Sequence, residues 1–304
     1  MVLEASNSLL GVGLASVAAV GFAGQFLCVR LGTDDGEVID AVLVVLLCNV
    51  AIVVPAAFLS HSPPYSALFT PLSAVSFAAA GIAGMFVARL LMFTSIDALG
   101  ASITSPVIAS NVLFATIFAV VLLGERLTAS HFAGIVLIVS GIAVVSWETT
   151  ATGPDRSVRE TGTMLALPVA AAVCIGIEPI FVSTGLAEGT PILPGLAVMA
   201  TVATAGFTGY LAWIGTLDRV PLRSASTAWY VAGGVSTTVA FLAYFAALTV
   251  APVVVVMPLL QLTPLLVVVL SLLFLPRRLE RVTWRVTAAA TVVVLGTTLV
   301  SVVG

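Results

Sequence analysis

The chain has 304 residues, 60% of them hydrophobic and only 8% charged, with a formal net charge of −3. A water-exposed globular surface carries about 25% charged residues, so this composition excludes a soluble protein and requires one that faces lipid. The mean hydropathy of +1.22 points the same way. All positive charge is arginine, most charges lie between apolar runs, and nothing in that pattern suggests a nucleic-acid partner.

Taken in order, the chain shows ten apolar runs. The first, Leu9 to Val29, follows Glu4 with no early arginine and ends in Arg30, so it reads as a membrane helix rather than a cleavable signal peptide. An acidic loop with Asp34, Asp35 and Glu37 leads to the second, Val38 to Leu59, which contains Pro55. A loop carrying Pro63-Pro64 cannot continue that helix. The third run, Leu72 to Ile96, holds Arg89. Ala101 to Leu123 and Ala129 to Ser146 are the fourth and fifth, joined by the tight turn Gly124-Glu125-Arg126-Leu127-Thr128. About 20 residues at ~1.5 Å each span a ~30 Å hydrocarbon core, and the turn is too short to cross anything, so the fifth run must come straight back. Trp147 suits the membrane interface.

A polar segment, Glu148 to Gly162, reads as a linker between residues 1–147 and 163–304. Five more runs follow: Thr163 to Thr184, Leu193 to Gly215, Thr227 to Leu248, Pro252 to Leu275 and Trp284 to Val303. Each run is apolar all round, as a membrane helix should be, and no alternating barrel strands are visible. Cys28, Cys48 and Cys174 lie inside apolar runs as packing residues. His61 and His131 are far apart, so neither a disulfide framework nor a metal site is expected.

The two halves align. Slid by 152 positions, Gly81 meets Gly233, Ala88 meets Ala240, Phe93 meets Phe245, Pro106 meets Pro258, and Arg126-Leu127 meets Arg278-Leu279. A three-residue insertion then restores Thr128 on Thr283 and Gly141 on Gly296. Aligned glycines, prolines and the shared Arg-Leu turn indicate an internal duplication.

The Gly124–Thr128 turn, GERLT, set between two membrane runs in a duplicated chain, resembles the EamA-type branch of the drug/metabolite transporter superfamily. The second copy departs from it, reading Pro276-Arg277 where the first has Gly124-Glu125. The resemblance implies an all-α membrane protein with ten transmembrane helices in two five-helix repeats, and a secondary transporter of metabolites, amino acids or drugs. An odd number of helices per repeat makes the halves inverted. A lipid-carrier flippase is the nearest alternative. An intramembrane enzyme is the rival class, but no HExxH or GxSxG is present and no histidine is placed as a base. Without a GxxxxGK[ST] loop no nucleotide drives this chain, and no cofactor is expected. The expected partners are a small-molecule substrate and the bilayer of the cell membrane, with a proton as candidate coupling ion and a monomer or homodimer as the assembly.

Six residues are candidates for the substrate path. Glu178, beside Pro179 in the sixth run, is costly at that depth, ~2.5–3.5 kcal/mol on insertion scales, and must face a cavity or a partner. Gln25 is its counterpart in the repeat alignment. Arg89 lies ~25 Å along the third helix and could grip an anionic group or tie down backbone carbonyls; depth does not favour a direct pair with Glu178. Asn111 and Gln261 fall near the middle of the fourth and ninth runs, where they line a cavity or join helices. Tyr244, with Trp213, offers an aromatic wall or simple packing. Glu125 is expected to satisfy turn amides and cap the next helix.

For orientation, the termini and even-numbered loops carry only Arg126. The other face carries Arg30, Arg156, Arg159, Arg219, Arg223, Arg277, Arg278, Arg281 and Arg285. That asymmetry places both termini outside, against the cytoplasmic termini the resemblance implies.

Overall fold

The structure is a computed structural model that describes residues 2–32, 37–99, 107–108, 110–150, 166–216, 226–274, 292 and 295–296. Among them regular structure is entirely helical. The helices are α1 (Val2–Gly32), α2 (Val38–Ser60), α3 (Pro71–Ala80), α4 (Ala88–Leu99), α5 (Asn111–Leu122), α6 (Ala129–Thr150), α7 (Ala166–Ala187), α8 (Ile192–Trp213), α9 (Ser226–Val250), α10 (Val253–Leu260) and α11 (Thr263–Phe274). A π-helical turn, Gly81–Val87, joins α3 to α4, and a 3₁₀ turn, Tyr65–Leu68, precedes α3. Among the described residues, six spans are long and apolar enough to cross a membrane: Leu9–Val29, Ile39–Ser60, Pro71–Met92, Ala166–Ala187, Ile192–Trp213 and Ser226–Val250.

Several expected boundaries move. α1 starts seven residues before the apolar run, at Val2. α6 continues through Thr150, into the expected linker, because nothing helix-breaking precedes Gly153. The third run is one helix in sequence but passes through the π turn in space. The ninth is two helices, α10 and α11, separated by a turn at Gln261 and Leu262. Most of the linker and the tenth run lie outside the described residues.

Local chemistry explains the helix ends. Thr70 and Ser73 form a reciprocal capping box at the start of α3, each side chain accepting from the other's backbone N–H at 3.0 Å, with Pro71 at the first helical position. Gly124 takes φ +69° after α5, a backbone state that disfavours side chains and lets the chain reverse into α6.

Helix contacts come in matched pairs. α1 lies along α9, and its counterpart α7 lies along α3, the π turn and α4. α2 packs on α9, and its counterpart α8 packs on α3 and the π turn. α5 packs on α7, as α10 and α11 pack on α1. α2 against α8, and α5 against α10, are their own counterparts. Each half therefore buries its helices mainly against the other half. Lipid supplies no hydrophobic drive for this, so close van der Waals approach must, and it needs small residues at the contacts. At Gly21 a methyl group would stand 2.9 Å from the Ala240 Cβ. The core between the halves includes Leu46, Phe77, Met85, Met199, Phe207 and Phe245.

Hydrogen bonds tie the halves at both ends of the bundle. At one end Thr70 Oγ1 donates to Glu188 Oε2 at 2.8 Å, and Thr190 Oγ1 donates to Ser73 Oγ at 2.7 Å. At the other, the Tyr230 hydroxyl points at the carbonyls of Gly32 and Glu37, both at 3.2 Å.

Candidate functional site

Two polar groups form where the halves meet. The first is a clasp. Helix α5 starts at Asn111 and α10 ends before Gln261, and α5 and α10 are in contact. There Gln261 Nε2 donates to Asn111 Oδ1 at 3.2 Å, both residues being buried. Asn111 Nδ2 in turn donates to the Ile108 carbonyl at 2.8 Å. The two amides that the sequence places at mid-depth are thus partners, and they pin together two helices from opposite repeats.

The second group centres on Glu178 in α7. Two residues earlier, Gly176 lets α5 approach so closely that an added methyl would stand 3.0 Å from the Asn111 carbonyl oxygen. Glu178 is therefore within a turn of the clasp. Its carboxylate rests on the π turn, where a methyl on Gly84 would stand 2.5 Å from Cγ and 2.7 Å from Oε2. The Glu178 Oε1 atom is enclosed and has no hydrogen-bond partner among the described residues. Arg89 supplies the positive charge that acts on it. The Tyr244 hydroxyl, on α9, is likewise enclosed without a partner and lies within the field of Glu178.

Tyr244 sits in a ring cluster, its centroid 5.9 Å from that of Phe245 and 6.3 Å from that of Phe241. Phe241 in turn packs edge-on to Phe22 at 5.2 Å. Glu178 and Arg89 each keep part of their surface accessible although helices surround them. An acid, a base and a phenol, two of them with unused hydrogen-bonding capacity, can hold a small polar molecule there.

Of the six sequence candidates, Glu178, Arg89 and Tyr244 come together, and Asn111 and Gln261 pair with each other. The depth estimate set Arg89 apart from Glu178. The structure brings them within electrostatic reach without a direct hydrogen bond, since Arg89 lies five residues beyond Gly84. Gln25 is half-buried on α1, with its backbone carbonyl facing Gly233, and its side chain joins neither group among the described contacts. Trp213 is 84% exposed at the end of α8, so it suits a membrane-interface anchor and not the cavity wall.

Glu125 does something other than the expected local cap. Its Oε1 accepts from the Val253 N–H at 2.8 Å and its Oε2 from the Val254 N–H at 2.9 Å. It thereby caps α10 in the opposite repeat. Pro252 precedes that helix and offers no side-chain cap, which leaves these amides free. The next helix, α6, is capped by its own residues: the His131 N–H donates to Thr128 Oγ1 at 3.2 Å.

Sequence reasoning missed Gly84 and the π turn, and the repeat alignment held the signal, since Gly84 falls opposite Ser236 and Arg89 opposite Phe241. It also missed Asn49, whose Oδ1 accepts from Thr238 Oγ1 at 2.8 Å while Nδ2 is enclosed without a partner among the described residues. A lone asparagine in an apolar run was the available clue.

The EamA-like transporter family matches residues 9–147 and 162–302. No curated protein matches the chain. A solved crystal structure of a protein is similar at 18% identity with a TM-score of 0.77, covering 98% of this chain and 97% of its own, which shows a shared fold and nothing more. The two family matches fall on the two halves whose helices pack reciprocally, and the chain is an integral membrane protein that belongs to the EamA-like transporter family.

Proposed function

We propose that the protein is a secondary active transporter with ten membrane helices in two inverted five-helix repeats, residues 1–147 and 163–304 joined by a linker at 148–162. It moves a small molecule across the cell membrane by alternating access to the cavity around Glu178. The reciprocal packing of the halves supports this, because a bundle built from interlocked counterparts has a second, symmetry-related arrangement available to it.

One observation carries the assignment of the site. Among the described residues, Glu178 Oε1 and the Tyr244 hydroxyl are enclosed and unpartnered, with the Arg89 charge acting on Glu178. Leaving a buried polar group unsatisfied costs about 1–3 kcal/mol, so these groups are kept for something that is not part of the chain. The substrate is a metabolite, amino acid or drug that offers a hydrogen-bond donor to Glu178 and an acceptor to Arg89 or Tyr244. Glu178 is also the group that carries a proton when transport is coupled to a pH gradient, as a monomer or as a homodimer.

The test is uptake of a defined metabolite mixture into vesicles reconstituted with pure protein, read by mass spectrometry with and without an imposed pH gradient. Wild-type protein should accumulate at least one compound, and Glu178→Gln should insert and fold yet lose gradient-driven accumulation. Equal accumulation by Glu178→Gln would leave Glu178 as a packing residue.

A further inference from the structure

The π turn has a consequence for the cavity. In an α-helix, residues five apart lie about 140° apart around the axis, on different faces. In a π turn each hydrogen bond closes one residue later, as the Ala88 N–H to Ala83 carbonyl bond does here. A residue five positions on is thereby carried round toward the face of the first. Gly84 and Arg89 are five apart, and both address Glu178. With α geometry through Gly81–Val87, Arg89 would be swung off the face against which the carboxylate rests.

The equivalent stretch of the second repeat, Gly233 to Val239, lies within α9, which is α-helical from Ser226 to Val250. Thr237 Oγ1 donates to the Gly233 carbonyl at 2.8 Å, a bond of α spacing, and Thr238 Oγ1 lies 2.9 Å from the Gly234 carbonyl. The first repeat has Met85 and Phe86 at those places and lacks such braces. At the position of Gly84 the second repeat has Ser236, which donates to the Gly21 carbonyl at 2.7 Å. A side chain is accommodated there in one repeat and excluded by Glu178 in the other.

We propose that Gly84, held in the π turn, is a positioning residue for transport: its missing side chain makes the recess for the Glu178 carboxylate, and the turn brings Arg89 round to face it. The proposal rests on Glu178 belonging to the transport site, and its test is chosen to be independent of any substrate. Reconstituted protein is treated with dicyclohexylcarbodiimide, which modifies protonated carboxyl groups in apolar surroundings, and modification at position 178 is read by mass spectrometry. Thermal unfolding of the same samples reports the fold.

Wild-type protein should be modified at Glu178. Gly84→Ala should lose that modification, because the added methyl drives the carboxylate from its recess. Gly84→Ala/Glu178→Ala, which deletes the Cγ that the methyl would strike at 2.5 Å, should unfold at a higher temperature than Gly84→Ala alone. Folded Gly84→Ala with wild-type modification would overturn the proposal. Should Gly84→Ala fail to fold, recovery of folded protein in the double variant would support it, and failure of both would reduce Gly84 to a packing residue. Loss of modification in Gly84→Ala together with unimpaired transport by Glu178→Gln would uphold the recess and refute the transport site.

Discussion

The third helical run of the first repeat and its counterpart in the second share glycine, valine, alanine, leucine and phenylalanine at matched positions, yet they are built differently. One passes through a π turn and carries Arg89 beside Glu178; the other is a continuous α-helix with Phe241 and a ring cluster. Likewise α7 bears Glu178 where α1 bears Gln25. Packing between the halves is reciprocal, but the charged side chains sit on one side of the pseudo-symmetry only. The symmetric part is what the proposed alternating access draws on, and the asymmetric part is what the proposed substrate, with a donor and an acceptor, would meet.

Exchanging the two counterparts would break this comparison most severely. Glu178→Gln/Gln25→Glu keeps the composition and moves the carboxylate to a place with phenylalanine at the position of Arg89. Gradient-driven uptake should be abolished, and uptake near wild type would show that either place serves. Arg89→Lys comes next. It retains charge but loses the planar fork, and hydrogen bonds to charged groups are worth about 1.5–3 kcal/mol, so uptake should fall by roughly 10- to 150-fold with folded protein preserved. Equal uptake, or loss of folded protein in both Arg89→Lys and Arg89→Gln, would assign Arg89 a structural part.

Tyr244→Phe removes a single enclosed hydroxyl and nothing else. One neutral hydrogen bond is worth about 0.5–1.5 kcal/mol, so uptake should fall by roughly 2- to 12-fold, with no loss of thermal stability because the hydroxyl has no partner among the described residues. A stability loss without a transport effect would place that hydroxyl in the fold instead. The mildest test concerns orientation. A reporter fused at Gly304 should leave transport intact and signal from outside the cell, as the arginine asymmetry requires. A cytoplasmic signal would overturn that assignment and favour the family expectation.

The helical runs and the duplication were legible because an apolar stretch of about 20 residues has one economical structure in a bilayer. Glu178, Arg89, Asn111 and Gln261 were legible because polar groups at depth are rare and stand out. What could not be read was partnership. The bond between Asn111 and Gln261 joins residues from opposite repeats and follows from how α5 meets α10. The π turn escaped because Gly81–Val87 is as apolar as its α-helical counterpart, and the difference arises from neighbours. Glu125 escaped for the same reason: its amide partners lie far along the chain, in the other repeat.

Glu125 has one more implication, for how the protein divides its time. Two charge-assisted bonds hold the first amides of α10 to the opposite repeat, and α10 cannot slide past that turn without being uncapped. The second copy has Arg277 at the matching place, and a guanidinium cannot accept a bond from an amide. Under the proposed alternating access, one state thus has a fastening that the sequence of the second copy does not offer its mirror. At about 1.5–3 kcal/mol, even a single such bond biases occupancy by roughly 10- to 150-fold. Under the alternating access proposed above, the favoured state is the one that keeps these bonds, with the mouth nearest the termini shut.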